Sequence, residues 1–323
     1  MSMANLALYQ TISFIRQFFR EKSFIETPAP PLVSNPGMEA HLHPFKVSSL
    51  VKSENRDLYL HTSPEFFLKK LLSEGMENIY SLGYCFRDEP SSETHRPQFL
   101  MLEWYRANSF YDVIQEDAIS LIKFVHKNLN ALGLKTIPEV NIERFTVEEL
   151  FIEYAHFSIL ENLNVEELKE KIHSHFPDLL NKEQVQDDWP WEDLFFLVFL
   201  NKIEPHFKEK VCVVVDQFPA PLSALSTIKK DDPRVCERFE IYLRGVELCN
   251  CFNELTSLHE QKNRMDCEKK KKMKLYGYEL PEPNVLYKAL EKGIPQSAGI
   301  ALGVERLLLG LSADKEATNP FNE

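Results

Sequence analysis

The chain has 323 residues, 44% of them hydrophobic, enough for one large domain or two smaller ones with a sizeable core. A formal charge of −12 and a pI near 5.4 count against a surface built for nucleic acid, because phosphate binding relies on clustered lysine and arginine. Six cysteines (Cys85, Cys212, Cys236, Cys249, Cys251, Cys267) lack CxxC spacing and read as reduced thiols, and with no signal core and no bilayer-length apolar run the protein is expected to be cytoplasmic, with no membrane anchor.

Residues 6 to 20 place Leu8, Ile12, Ile15, Phe18 and Phe19 at helical spacing, and the helix should end near Lys22, before the prolines of FIETPAPPLV. LYLHTSPEFFLKKLLSEG reads as a strand entering a helix, with Thr62 and Glu65 as a capping box, Pro64 in the first turn and Gly75 at the exit. IYSLGYCFRDEPSSETHRPQFLMLEWY, residues 79 to 105, sets charged and aromatic residues between two strand-like runs. Residues 110 to 132 form a further amphipathic helix ended by Gly133. The segment from 135 to 205 is acidic and rich in Leu and Phe, with VEELKEKIHSHF as its clearest helix, and is expected to be a helical insertion.

Strand patterns return with VCVVVDQFP and with RFEIYLRGVELCNCFNEL, where Arg244-Gly245 suits a hairpin turn. The basic run Lys269 to Lys272 is expected to be a solvated helix face, and AGIALGVERLLLGL reads as a strand running into a helix. Strands and helices do not alternate regularly, so the expected class is α+β: a mainly antiparallel sheet flanked by helices.

These segments carry the equipment for activating a carboxylic acid with ATP. Arg87 can hold an α-phosphate oxygen and the attacking carboxylate in one planar fork, which lysine cannot do. Glu89 is either an acceptor for an adenine amino group or half of a surface salt bridge. Across an Arg244-Gly245 turn, Tyr242 faces Glu247 and Glu240 lies diagonally on the same face, about 7–8 Å away. Two carboxylates so placed can share magnesium on a triphosphate, or else serve as partners for Arg238 and Arg244. Asn250, Phe252 and Glu254 have the opposite parity to Glu247 and line the same pocket only if a bulge or sharp twist falls near Cys249; that irregularity is predicted. Arg306, at the start of a helix, can reach a terminal phosphate.

Together the segments FIETPAP, CFRDE with HRPQFLMLEWY, GVELCNCFNELT and GIALGVER resemble the class II aminoacyl-tRNA synthetases, specifically their lysyl branch, over nearly the whole chain outside 135 to 205. The resemblance implies a single catalytic core over 1 to 323, using ATP and Mg2+, with Arg87 and Arg306 catalytic. It implies an adenine-amino contact at Glu89, adenine stacking on Phe99, γ-phosphate contacts at His95 and Arg306, and magnesium or ATP acids at Glu240 and Glu247. Glu65, Glu103, Tyr105, Asn250 and Glu254, with Phe252 beside them, would read a lysine-like amino acid.

The first-motif helix begins almost at Met1, which leaves no room for an anticodon-binding domain and predicts no tRNA partner. The architecture resembles the stand-alone members of the branch, which activate (R)-β-lysine and transfer it to the ε-amino group of a lysine of translation elongation factor P. Ala301, where lysyl-tRNA synthetases usually carry glycine, fits an amine displaced by one carbon. Such cores pair as homodimers through the first-motif helix, here residues 6 to 33. Alternatives are an enzyme that activates α-lysine for another acceptor and a catalytically silent synthetase-like regulator. The chain departs from the family pattern at Arg96 and Gln98 in the second motif, at Cys251, where its side chain could trim the pocket, and at Ser23, where the first motif usually has glycine.

Overall fold

The computed structural model describes residues 3–49, 57–92, 94–180 and 189–313. They form two compact units, one made of the described residues up to Ile137 together with those from Glu254 onward, the other spanning Pro138–Asn253.

In the first unit the helix Met3–Glu21 buries Ala7, Thr11, Ile15, Phe18 and Phe19, a stripe at helical spacing. Phe19 stacks on Tyr80 at 4.6 Å and meets Trp104 edge-on at 5.4 Å. The helix closes in a Schellman motif: Ser23 N–H donates to the Arg20 carbonyl and Phe24 N–H to that of Phe19. This motif wants a left-handed residue at its turn, and Ser23 supplies it at φ 59°. The glycine missing from the sequence is thus missing where backbone conformation asks for one. Ser23→Gly is expected to raise stability by about 0.5–1 kcal/mol, read as a higher denaturant midpoint; a lower midpoint would contradict this.

The sheet of this unit runs Ile25–Glu26, Asn78–Phe86, Gln98–Ala107, Ser297–Gly303; the first pair is parallel and the other two antiparallel. The helices Met3–Glu21, Tyr111–Ala131 and Val304–Leu311 pack with one another or on the face that holds Trp104. On the other face lies the helix Glu65–Ser73. Its entry corrects the expected capping box: Thr62 Oγ1 donates to the Pro36 carbonyl, and Ser63 Oγ accepts from Glu65 N–H at 3.0 Å. Gly75 follows the last turn at φ 96°. In the helix Leu258–Tyr276 the lysine run is not uniformly solvated. Lys272 is buried and donates to the Leu42 carbonyl at 2.7 Å, and Lys269 pairs with Glu282.

In the second unit the order is Val246–Asn253, Arg238–Leu243, Cys212–Asp216, Ile142–Thr146, with the first two pairs antiparallel and the last parallel. Arg244 and Gly245 form the hairpin turn at φ 52° and 78°, both left-handed as a type I′ turn requires. Residues 135 to 205 hold the helices Val165–His175 and Trp191–Val198, but also the strand Ile142–Thr146, which the sequence pattern did not suggest. Phe195 stacks between Phe151 and Phe199, with Trp191 against it. Among the described residues no helix is long and apolar enough to cross a membrane.

Candidate active site

The site is laid on one strand. Along Gln98–Ala107, side chains alternate between faces, so Phe99, Met101, Glu103 and Tyr105 share the face turned away from Trp104. Register sets small residues on both sides of them: Ser81 and Gly83 on one neighbour, Gly299, Ala301 and Gly303 on the other. Backbone there occupies the place of side chains and leaves a trough. Ala301 sits opposite Glu103, and Gly299 opposite Tyr105. A Cβ on Gly299 would lie 2.1 Å from Tyr105 Cε1 and 2.7 Å from Glu254 Oε1. Gly299→Ala is therefore expected to displace the Tyr105 ring and cost about 1–3 kcal/mol of stability. An unchanged denaturation midpoint would refute that.

Four ionisable side chains meet over the trough. Glu103 is buried, accepts from Ser63 Oγ at 2.5 Å and lies 3.4 Å from the Tyr105 hydroxyl. Lys69, buried on the helix Glu65–Ser73, pairs with Glu65 at 2.5 Å and with Glu254 at 2.6 Å. Burial works against the Lys69 charge, but Glu254 and Glu65 outweigh it and hold the ammonium above its ordinary range. Burial pushes Glu254 up to about 7 against the pull of Lys69, and it raises Glu65 as well. Glu103, with no direct cation, is pushed up to about 8 by burial and by the Glu65 charge. The cluster is thus acidic and buried, with carboxyls that burial biases towards protonation and that an added cation would favour in ionised form, which suits an ammonium ligand.

Above this pocket the strand Asn78–Phe86 delivers Arg87. Its guanidinium lies 5.2 Å from the Phe99 ring centroid, and its buried Nε has no hydrogen-bond partner. A buried guanidinium nitrogen left unmatched suits an anionic ligand. Glu305, buried at the start of the helix Val304–Leu311, accepts from Leu100 N–H through both oxygens at 2.8 and 3.0 Å and so fixes the strand beside Phe99. Next to it, Arg306 donates to His95 Nε2 at 2.9 Å. Since guanidinium can only donate, His95 carries its proton on Nδ1, which lies 2.9 Å from Ser92 Oγ. Burial and the Arg306 charge lower the His95 pKa, while Glu89, half-buried nearby, opposes them.

The remaining residues belong to the second unit. The irregularity expected near Cys249 falls between Glu247 and Cys249: Glu247 pairs with Tyr242, and Asn250 with Glu240. The bulge switches parity, so Arg238, Glu240, Tyr242, Glu247, Asn250 and Phe252 share one face. The acid pair is already partly engaged. Glu240 is buried, with one oxygen on Arg238 at 2.6 Å and the other on the Tyr242 hydroxyl at 2.7 Å, whereas Glu247 is exposed. The alternative partner Arg238 is thus a real one. Asn250 Oδ1 accepts from Arg238 Nε at 3.2 Å, and the Phe252 ring lies 5.5 Å from the same guanidinium.

Two departures from the family pattern find their place here. Arg96 Nη1 is turned to the carbonyls of Ser92 and His95 and braces that loop. Cys251, paired with Phe239, falls on the opposite face to Asn250 and Phe252 and is fully buried, so it does not trim their pocket. Ser63 and Lys69 were not singled out in the sequence. The only local signal was the four-residue spacing from Glu65 to Lys69, which sets them on one helix face.

The sequence profile of the family described as tRNA synthetases class II (D, K and N) matches residues 3–318. Among curated proteins the chain is similar to an elongation factor P--(R)-beta-lysine ligase of Photorhabdus laumondii, 34% identical over 97% of this chain and 93% of the relative. It is equally similar to those of Vibrio cholerae, 34% over 91% and 87%, and Edwardsiella ictaluri, 34% over 97% and 93%.

Proposed function

The chain belongs to the class II tRNA synthetases (D, K and N), and from that premise we propose that it is an ATP-dependent ligase that activates (R)-β-lysine, or lysine, as an aminoacyl adenylate and transfers it to the ε-amino group of a lysine on elongation factor P. The observation that carries the reading is Arg87 with an unmatched buried Nε, in the same unit as a buried acid cluster whose Glu103 feels its charge. One group takes the carboxylate end of an amino acid, the other its ammonium end.

In the first step the amino acid carboxylate attacks the α-phosphorus, and pyrophosphate leaves. Arg87 bridges the two reacting anions, and Phe99 stacks on the adenine, whose amino group Glu89 accepts. Arg306 and His95 take the terminal phosphate, for which Arg306 exchanges its contact with His95 Nε2 and that nitrogen takes up a proton to donate to the phosphate. In the second step the neutral acceptor amine attacks the acyl carbon, AMP leaves, and the nitrogen gives up one proton as the amide forms. Positioning and charge neutralisation carry both steps, without a covalent enzyme intermediate.

Magnesium fits as a nucleotide-borne ion. No group of three acids, histidines or cysteines among the described residues could hold a metal ion, and Glu240 already serves Arg238 and Tyr242. Glu247 and Glu240 would therefore hold the ion together with phosphate oxygens, where it would neutralise charge on the leaving pyrophosphate. Asn250 and Phe252 are assigned to substrate binding by the family pattern, and Ala301, opposite Glu103, favours the displaced amine of β-lysine. On the same reading two copies pair through residues 6 to 33, and the enzyme works in the cytoplasm without tRNA.

The test is exchange of pyrophosphate into ATP by the purified protein with (R)-β-lysine and with lysine, followed by mass spectrometry of elongation factor P after incubation with each. No exchange with either amino acid, or no mass added to elongation factor P, would refute the reading.

A further inference from the structure

Lys69 is assigned no part in the reaction above, yet it is among the largest fully buried side chains in the described residues. An unpaired buried lysine costs several kcal/mol, so its surroundings must justify it. Its ammonium lies 2.5 Å from Glu65 Oε1 and 2.6 Å from Glu254 Oε2, with side-chain exposures of 2%, 13% and 2% for Lys69, Glu65 and Glu254. The two acids come from segments far apart in the chain, and the lysine joins them.

The charges around this cluster can be paired off. Glu39 also acts on Glu65, but its charge is shared with Lys272. The Tyr105 hydroxyl, directed at Glu103, is held neutral by burial. Arg87 acts on Glu103 but is reserved for the substrate carboxylate. What remains are three carboxyl groups, Glu65, Glu103 and Glu254, and one resident ammonium, so two further positive charges are needed for all three to be ionised together. An α- or β-amino acid with one further ammonium group brings two, whereas a neutral amino acid brings one and leaves a buried carboxylate unmatched.

Resting on the functional reading above, we propose that Lys69 is a positioning residue of the amine pocket. Seated between Glu65 and Glu254, it keeps both acids aligned, favours their ionised forms, and sets the remaining demand at two ammonium groups, those of a diamino acid. Lys69 does not touch the reacting atoms; it acts through the two acids.

The test uses pyrophosphate exchange by the full-length protein with Lys69→Met, Glu254→Gln and the double variant. Lys69→Met is expected to raise KM for the diamino acid at least about 30-fold, in line with breaking a buried ion pair, with kcat and the KM for ATP changing by less than about threefold. Because Lys69 acts through Glu254, the double variant should fall short of the product of the two single effects by about tenfold or more. Lys69→Arg, which keeps the charge, should recover most of the affinity and covers the case in which Lys69→Met does not fold.

A Lys69→Met KM within about threefold of the parent, fully multiplicative effects, or a Lys69→Arg variant as impaired as Lys69→Met would overturn the proposal. So would equal losses in kcat and in ATP affinity, which mark general structural damage. Failure of the parent protein to exchange with either diamino acid would instead sink the functional reading, and this inference with it.

Discussion

Arg87→Ala is expected to lower amino-acid-dependent pyrophosphate exchange by about 100- to 1000-fold, the usual effect of removing one preorganised donor from a developing phosphoryl charge. The loss should fall on kcat more than on the KM for the amino acid, because the amine end of the substrate keeps its acids. Stability should hardly change: Arg87 is half-buried and its Nε has no partner to orphan. Arg87→Lys should not restore the rate, since a point charge cannot span a phosphate oxygen and a carboxylate as a planar fork does. A residual rate within about tenfold of the parent in Arg87→Ala would remove Arg87 from the reaction.

How far the sequence reached follows the range of each interaction. The Arg244-Gly245 turn was legible because type I′ geometry needs two left-handed residues, and that preference is local. The bulge before Cys249 followed from parity alone, since Glu247 and Asn250 could not otherwise face the same way. The strand carrying Phe99, Glu103 and Tyr105 declared its face by alternation.

What escaped were partners set by tertiary packing. Lys69 looked like one of two lysines in a helix, and nothing near it in the chain marked Glu254 as its partner. Ser63, not Thr62, turned out to hold the helix entry, because Pro36 claims the Thr62 hydroxyl. Lys272 read as one member of a solvated run, yet it reaches inward to the Leu42 carbonyl. The pairing of Glu240 with Arg238 was one of two open alternatives and became visible only when both side chains were seen on one face.

Glu103→Gln is expected to cost about 100- to 1000-fold in affinity for the diamino acid at pH 8, as breaking a buried charge pair does. The pH dependence separates this from a packing effect. In the ligand-free protein burial pushes Glu103 up to about 8, from an ordinary 4.5, so below pH 8 the carboxyl is mostly neutral and must release a proton to meet an ammonium. Affinity should therefore climb by up to about tenfold per pH unit towards pH 8, and fall again where the substrate amines themselves lose charge, at about pH 10 for the side-chain amine and lower for the other.

Stability runs the other way. A carboxyl whose folded pKa is raised favours the folded state at low pH, and that contribution is lost as pH rises from about 4.5 through about 8. Glu103→Gln should thus flatten both curves between pH 7 and 8, leaving a step below pH 7 for Glu254, which burial pushes up to about 7. Calorimetry in buffers of different ionisation enthalpy would count the proton released on binding. Unchanged proton release in Glu103→Gln would mean that another group meets the substrate ammonium.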